Sequence, residues 1–145
     1  MAAAEIWVEK YRPKTVDEYV FKDPNQQKII EGWVADKSIP HILLHGGPGT
    51  GKTTLARVLA NDLGVQEADF MYINASRDNG VDFIRDRVMR FSSTIPWGDF
   101  KIILMDEADY LSPSSQAALR GIMEEYVSVV RFIFTCNGVH KIIPA

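Results

Sequence analysis

The sequence is poor in several features that would place a protein in a specialised class. Its one cysteine, Cys136, excludes an internal disulfide and a thiolate cluster for a metal. No apolar run approaches the roughly 20 residues of a membrane-spanning helix, and residues 1–4 lack the character of a secretory signal. The net charge of −3 means that any contact with nucleic acid must use a local patch. These absences predict an ordinary globular protein of the cytoplasm, with no membrane among its partners.

A glycine-rich motif is the most informative feature that is present. Residues 46–53 read Gly-Gly-Pro-Gly-Thr-Gly-Lys-Thr and fit G-x-x-x-x-G-K-[ST], in which backbone N–H groups cradle nucleotide phosphates. A predicted strand precedes the motif and a predicted helix follows it, so the positive end of the helix also faces the phosphates. The expected phosphate-binding residues are Gly47, Pro48, Gly49, Thr50, Gly51, Lys52, Thr53 and Thr54.

Two side chains of this motif have chemistry of their own. Lys52 is expected to reach the β- and γ-phosphates as a positive charge, and the Thr53 hydroxyl to bind Mg²⁺. A strand-to-helix turn that is merely rich in glycine is the alternative. The strand and helix on either side favour the nucleotide site, and therefore binding of ATP or GTP.

A second motif is an apolar strand that ends in two carboxylates, Asp106 and Glu107. A continuous apolar run is typical of a parallel strand covered on both faces, and ligands bind at the carboxyl edge of such a sheet. Asp106 is therefore expected to hold Mg²⁺, and Glu107 to polarise a water toward the γ-phosphate. A helix cap followed by a surface acid is the alternative. Together with the glycine-rich loop, the pair favours nucleotide hydrolysis.

Hydrophobic periodicity predicts helices that alternate with strands. The predicted helices cover 24–34, 52–63, 80–91 and 114–126, and the predicted strands 41–44, 69–74, 101–105 and 131–136. This alternation indicates an α/β fold, a P-loop NTPase with a parallel sheet and helices on both faces. In the first helix Ile29, Ile30 and Trp33 are predicted to face inward.

Further short motifs occur in a set order along the chain. They are Trp7-Val8-Glu9-Lys10-Tyr11-Arg12-Pro13, the glycine-rich loop, Ile73-Asn74-Ala75-Ser76, Asp106-Glu107-Ala108-Asp109, Gln116-Ala117-Ala118-Leu119-Arg120, Met123-Glu124-Glu125 and Thr135-Cys136-Asn137. Together they resemble the motifs of AAA+ ATPases, and within them the sliding-clamp loaders of the replication factor C small-subunit and T4-like phage type. The resemblance extends from about Trp7 to Ala145. The glycine-rich loop alone would be generic, whereas the first motif and the order of the others are specific.

The resemblance implies roles for residues outside the two main motifs. Tyr11, Arg12 and Pro13 would line an adenine pocket, within an arm of residues 1–22 that precedes an AAA+ core of residues 23–145. Asn137 would be a catalytic sensor of the γ-phosphate or its water, and Asn74 would restrain Glu107 until DNA is present. A strand-ending turn is the alternative for both asparagines.

The resemblance also implies partners, namely a sliding clamp, primer–template DNA and other clamp-loader subunits. Candidate DNA contacts are arginines and helix-start serines, because both are suitable phosphate ligands. They are Arg77, Arg85, Arg87, Arg90, Ser112 and Ser114. Asp82 and Asp86 share a helix with these arginines, so a solvated, salt-bridged face is an equally good account. The polar stripe of Gln116, Arg120 and Glu124 could couple DNA to the active site or be ordinary surface pairing.

The family pattern continues past Lys141–Ala145 into a fifth strand, a lid and a collar, none of which follows here. In the family's strand order 5-1-4-3-2, the first strand would then be an exposed apolar edge. We therefore expect the N-terminal ATPase portion of a DNA-stimulated ATPase that loads sliding clamps, cytoplasmic or, in a eukaryote, nuclear. This portion alone should be poorly active. Another AAA+ DNA motor, such as a Holliday-junction helicase, and a nucleotide-binding assembly module that does not hydrolyse ATP are the alternatives.

Overall fold

The structure is a computed structural model that describes residues 24–46, 51–77 and 80–138. Its four helices are α1 (Pro24–Asp36), α2 (Lys52–Asp62), α3 (Val81–Ser92) and α4 (Pro113–Glu125). Its four strands are β1 (Ile42–His45), β2 (Phe70–Asn74), β3 (Lys101–Asp106) and β4 (Val130–Cys136). Short 3₁₀ turns cover Glu67–Asp69 and Ala108–Tyr110.

The strands form one parallel sheet in the order β1-β4-β3-β2. This matches the order that the family resemblance implies for the strands present, and the predicted α/β class is confirmed. β1 lies at one edge of the described sheet, where Leu43 is 40% exposed. The prediction of an apolar edge strand therefore holds for the part of the chain that the structure describes.

The central strand β3 divides the core into two clusters, one on each face of the sheet. Successive side chains of a strand point to opposite faces. Ile102 and Leu104 accordingly pack with residues of α1 and α2, whereas Ile103 and Met105 pack with residues of α3 and α4. All four are fully buried. The predicted arrangement of helices on both faces follows directly from this continuous apolar run.

The inward face of α1 differs from the prediction. Ile30 is buried and Trp33 is half-buried, but Ile29 is 54% exposed. Adjacent residues of a helix are about 100° apart around its axis, so a helix that contacts the core along a narrow stripe buries only one of two neighbouring isoleucines.

The polar stripe predicted on α4 is also divided. Arg120 and Glu124 are exposed, but Gln116 is only 7% exposed, and its Nε2 donates a hydrogen bond to the Leu111 carbonyl at 3.1 Å. Gln116 thus helps to hold the chain that enters α4. The sequence spacing placed it on the outer stripe because it did not reveal this backbone partner.

The first strand begins at Ile42 rather than at His41, and it includes His45. His41 instead contacts the neighbouring strand β4, since its Nδ1 accepts a hydrogen bond from the Phe132 N–H at 3.0 Å.

Within the ranges given above, no helix combines the length and the apolar character needed to cross a bilayer.

Candidate active site

Because the strands are parallel, their carboxyl ends meet at one edge of the sheet, and several of the predicted site residues lie there. Asn74 and Asp106 are register partners at the ends of β2 and β3. Gly46 follows β1, and its N–H donates to the Cys136 carbonyl at the end of β4 at 3.2 Å. Asn137 is the next residue after β4.

The start of α2 brings Lys52 into this edge. Gly51 has φ 79°, in the left-handed region that favours glycine, and its carbonyl accepts the Leu55 N–H at 2.9 Å as the helix begins. The Lys52 ammonium donates to the Gly46 carbonyl at 2.9 Å and to Asn137 Oδ1 at 3.3 Å. Lys52 therefore joins the two ends of the glycine-rich loop and the tip of β4.

The Asp106 carboxylate is the centre of a hydroxyl network. Oδ1 accepts from Thr53 Oγ1 at 2.9 Å and also from Thr135 Oγ1, and Oδ2 accepts from the Tyr72 hydroxyl at 2.7 Å. Burial by itself would raise the pKa of Asp106. The bonds from Thr135, Tyr72 and Thr53 and the nearby Glu107 N–H outweigh it and hold the pKa below its ordinary value. The side chain is therefore an anion prepared to receive a cation.

Glu107 has an unusual backbone conformation, and its N–H is hydrogen-bonded. Its φ of 55° and ψ of 48° lie in the left-handed region, which costs a non-glycine residue about 1–2 kcal/mol. The Glu107 N–H donates to Thr135 Oγ1 at 3.0 Å, the same oxygen that donates to Asp106. One threonine hydroxyl therefore contacts both the predicted metal ligand Asp106 and the predicted catalytic residue Glu107.

Asn74 uses its amide within the turn that follows β2. Its Oδ1 accepts from the Ser76 N–H at 2.9 Å and from Ser76 Oγ at 2.6 Å, and its Nδ2 lies 3.5 Å from the Tyr72 hydroxyl. These bonds engage Asn74 with Ser76 and Tyr72 rather than with Glu107. The restraint of Glu107 by Asn74 stays a prediction.

Tyr72 and Thr135 are the site residues that the sequence analysis missed. Each lies two residues before a polar strand end, Tyr72 before Asn74 and Thr135 before Asn137. Residues two apart on a strand share a face, so a hydroxyl at that position of an otherwise apolar strand was the available signal.

The candidate DNA contacts lie in the turn after β2, on α3 and at the start of α4. Arg85 forms ion pairs with Asp82 at 2.8 Å and Asp86 at 3.7 Å, which supports the alternative of a salt-bridged face for this residue. The Arg87 guanidinium lies 5.8 Å from the centre of the Phe83 ring. Arg77, Arg90 and Ser114 are exposed.

Ser112 caps α4, since its side chain accepts a hydrogen bond from the Ser115 N–H at 3.1 Å. Capping gives this hydroxyl a structural role within the chain.

Other predicted site residues lie outside the described residues, namely Tyr11, Arg12, Pro13, Gly47, Pro48, Gly49 and Thr50. Thr54 lies half-buried in the first turn of α2.

The donor set fits a hydrated Mg²⁺ that also contacts phosphate. Thr53 Oγ1 and Asp106 Oδ1 are hard oxygen ligands 2.9 Å apart, and Mg²⁺ is usually bound through one or two such groups together with waters and substrate phosphates. Among the residues that the structure describes, no three His, Cys, Asp or Glu side chains group together as an all-protein metal cage. Thr53 and Asp106 would therefore hold the ion together with a nucleotide.

Comparison with known proteins identifies the class to which this fold and site belong. The model of the ATPase family associated with various cellular activities (AAA) matches residues 42–145, and the chain belongs to this family. More particularly, the chain is 50% identical over 143 residues to the replication factor C small subunit of Archaeoglobus fulgidus, covering 96% of this chain and 44% of that protein. It is 46% identical over 145 residues to the replication factor C small subunit of Saccharolobus solfataricus, covering 95% and 43%. The predicted resemblance is confirmed, and the chain spans less than half the length of these relatives.

Solved structures share the fold. A variant of RuvB from Thermotoga maritima has a TM-score of 0.73 at 19% identity and covers 92% of this chain and 44% of that chain. Another RuvB structure, described as a Holliday junction branch migration motor, has a TM-score of 0.72 at 20% identity. At these identities the likeness concerns the fold alone.

Proposed function

We propose that this chain binds ATP with Mg²⁺ and hydrolyses it as part of a sliding-clamp loader. The observation that carries the proposal is the meeting of Lys52, Thr53, Asp106, Glu107 and Asn137 at one edge of the sheet. AAA family membership and the replication factor C relatives support it independently.

Each of these side chains has a distinct task in the proposed reaction. Lys52 exchanges its contacts with Gly46 and Asn137 for phosphate oxygens, and places a positive charge where negative charge develops. Glu107 accepts a proton from the attacking water, and Asn137 aligns that water or the γ-phosphate without adding charge. Thr53 and Asp106 hold Mg²⁺, which neutralises phosphate charge when bound.

We further propose that the hydrolysis cycle opens a ring-shaped clamp and loads it on primer–template DNA, in an assembly with other clamp-loader subunits. The 46–50% identity to replication factor C small subunits supports clamp loading over the activity of a junction motor, which only a likeness of fold supports. The site of action would be that of DNA replication, in the cytoplasm or, in a eukaryote, the nucleus.

Nucleotide binding is tested by calorimetry on the 145-residue chain with ATP and Mg²⁺. Lys52→Ala should weaken binding at least about tenfold, because a charge-assisted contact to phosphate is lost. Lys28→Ala, in which an exposed lysine of α1 is removed, should bind as the wild type does. Equal affinity of Lys52→Ala and wild type would contradict the phosphate-binding assignment.

The clamp-loading role is tested by ATP hydrolysis in the full-length protein assembled with its partner subunits. Clamp and primer–template DNA together should stimulate hydrolysis more than four-way junction DNA does. Glu107→Gln should bind ATP normally and lose about 10²–10⁴-fold in rate, because the proton acceptor is lost. Glu67→Gln, at the far edge of the sheet, should keep the wild-type rate. Stimulation by junction DNA alone would instead support a branch-migration motor, and a Glu107→Gln variant of normal rate would remove Glu107 from the mechanism.

A further inference from the structure

The two oxygens of Asp106 are held by different parts of the molecule. Oδ1 accepts hydrogen bonds from threonines of α2 and β4, whereas Oδ2 accepts one from the Tyr72 hydroxyl at 2.7 Å. Tyr72 is neither a member of the glycine-rich motif nor of the acidic pair. It reaches the site from β2, the strand beside β3.

Contacts on several sides keep the Tyr72 ring in place. Its backbone is in register with Leu104 of β3, and its ring packs against the core cluster on the α2 face of the sheet. The Arg57 guanidinium of α2 lies over the ring, 5.0 Å from its centre, an arrangement of favourable cation–π geometry. Asn74 Nδ2 lies 3.5 Å from the hydroxyl. The hydroxyl therefore points at Oδ2 from a restrained position.

A carboxylate held through only one oxygen can rotate about its Cβ–Cγ bond, since this terminal torsion is broad. A bond to each oxygen fixes that rotation and so fixes the directions of the remaining lone pairs. Orientation matters for Mg²⁺, which demands near-ideal octahedral geometry. Groups that orient metal ligands typically affect metal affinity by 10–100-fold when removed.

We propose that Tyr72 is a positioning residue that holds the Asp106 carboxylate in the orientation required for Mg²⁺ to strengthen nucleotide binding. The inference rests on the proposed nucleotide function of the same site. Tyr72 is assigned a role only in the part of the ATP affinity that depends on Mg²⁺. The phosphate contacts of Lys52 and the loop backbone do not depend on the phenol.

The test compares Tyr72→Phe with wild type by measuring ATP affinity in excess Mg²⁺ and in excess EDTA. Phe keeps the ring under Arg57 and removes the hydroxyl. The expected result is an unchanged affinity in EDTA and a loss of about tenfold in the ratio of the two affinities, the size expected for one hydrogen bond to a charged group. Titration with Mn²⁺ in the presence of ATP, followed by electron paramagnetic resonance, should show the same loss in ion affinity without any turnover.

Tyr126→Phe is the matched control. It removes the same atom from a tyrosine at the end of α4, near the amino-terminal edge of the sheet, and should leave both affinities unchanged. A Tyr72→Phe variant with a wild-type ratio would overturn the role of Tyr72 while leaving the nucleotide site intact. Equal losses in EDTA and in Mg²⁺ would show general damage to the fold and would also overturn it. A wild-type chain indifferent to Mg²⁺ would overturn both this role and the proposed metal site.

Discussion

At the scale of single residues, Thr135 shows how one hydroxyl can contact two residues of the candidate site. Its oxygen accepts from the Glu107 N–H and donates to Asp106, and the residue is 1% exposed. A hydroxyl can do both because it carries one donor and two acceptor lone pairs. The hydrogen bond from the Glu107 N–H to Thr135 is one of the contacts that hold Glu107 in its left-handed backbone conformation.

Thr135→Val should therefore lower the free energy of unfolding by about 1–3 kcal/mol, because it leaves the Glu107 N–H without its acceptor and removes one of the three hydroxyl donors to Asp106. Valine has nearly the same shape, so packing changes little. Urea denaturation measures the loss. Thr135→Ser keeps the hydroxyl and should lose only about 0.8 kcal/mol for the buried methyl. Equal losses in the two variants would show that packing, rather than the hydroxyl, holds this strand end.

At the scale of elements, side-chain hydrogen bonds join β4 to the residues that precede β1 in the sequence, in addition to the backbone pairing of the two strands. His41 Nδ1 accepts the Phe132 N–H at 3.0 Å, and the two rings meet edge to face with centres 5.7 Å apart. Arg131 Nε donates to the Ile39 carbonyl at 2.8 Å from the same stretch of β4. Side chains thus join the segment before β1 to the strand on which it docks.

This pairing should weaken in acid. Burial first and the nearby Arg131 charge second lower the pKa of His41 below 6.5. The unfolded chain therefore takes up a proton at higher pH than the folded chain. The contribution of His41 to stability is therefore fully present above about pH 6.5, the pKa of this histidine in the unfolded chain. It is lost as the pH falls through the lower pKa of His41 in the folded chain.

Urea denaturation between pH 7.5 and pH 5 tests this direction. His41→Asn offers an oxygen acceptor that does not titrate, so its stability should fall less steeply with acid than that of the wild type. His45→Asn, at the exposed last position of β1, should keep the wild-type slope. An unchanged slope in His41→Asn would show that other groups carry the acid sensitivity.

At the scale of the whole molecule, the described helices leave one face of β1 uncovered. Ile42 is buried, but Leu43, which points to the opposite face, is 40% exposed. An apolar edge strand is a template for association with other chains.

The 145-residue chain should therefore self-associate at high concentration, and Leu43→Lys should reduce this association with little change in stability. Sedimentation velocity over a range of concentrations measures it. Val127→Lys is the control, because Val127 is an exposed apolar residue of the turn between α4 and β4 and is not part of β1. A similar reduction in both variants would attribute the association to general hydrophobicity rather than to β1.

The sequence by itself determined the element types, the α/β class and the chemical residues at the strand ends. These features depend on local pattern, such as a continuous apolar run before Asp106 or the glycine-rich spacing before Lys52. The family motifs added the strand order.

Only the tertiary structure decided which side chains meet. Tyr72, Thr53 and Thr135 come from three separate elements and converge on Asp106. The parallel register brings the ends of β2 and β4 to the end of β3, and α2 begins at the same edge of the sheet. The burial of Gln116 and the exposure of Ile29 likewise depend on which neighbour each residue faces. Such contacts join residues far apart along the chain, and no local periodicity specifies them, so they appear only when the elements have packed.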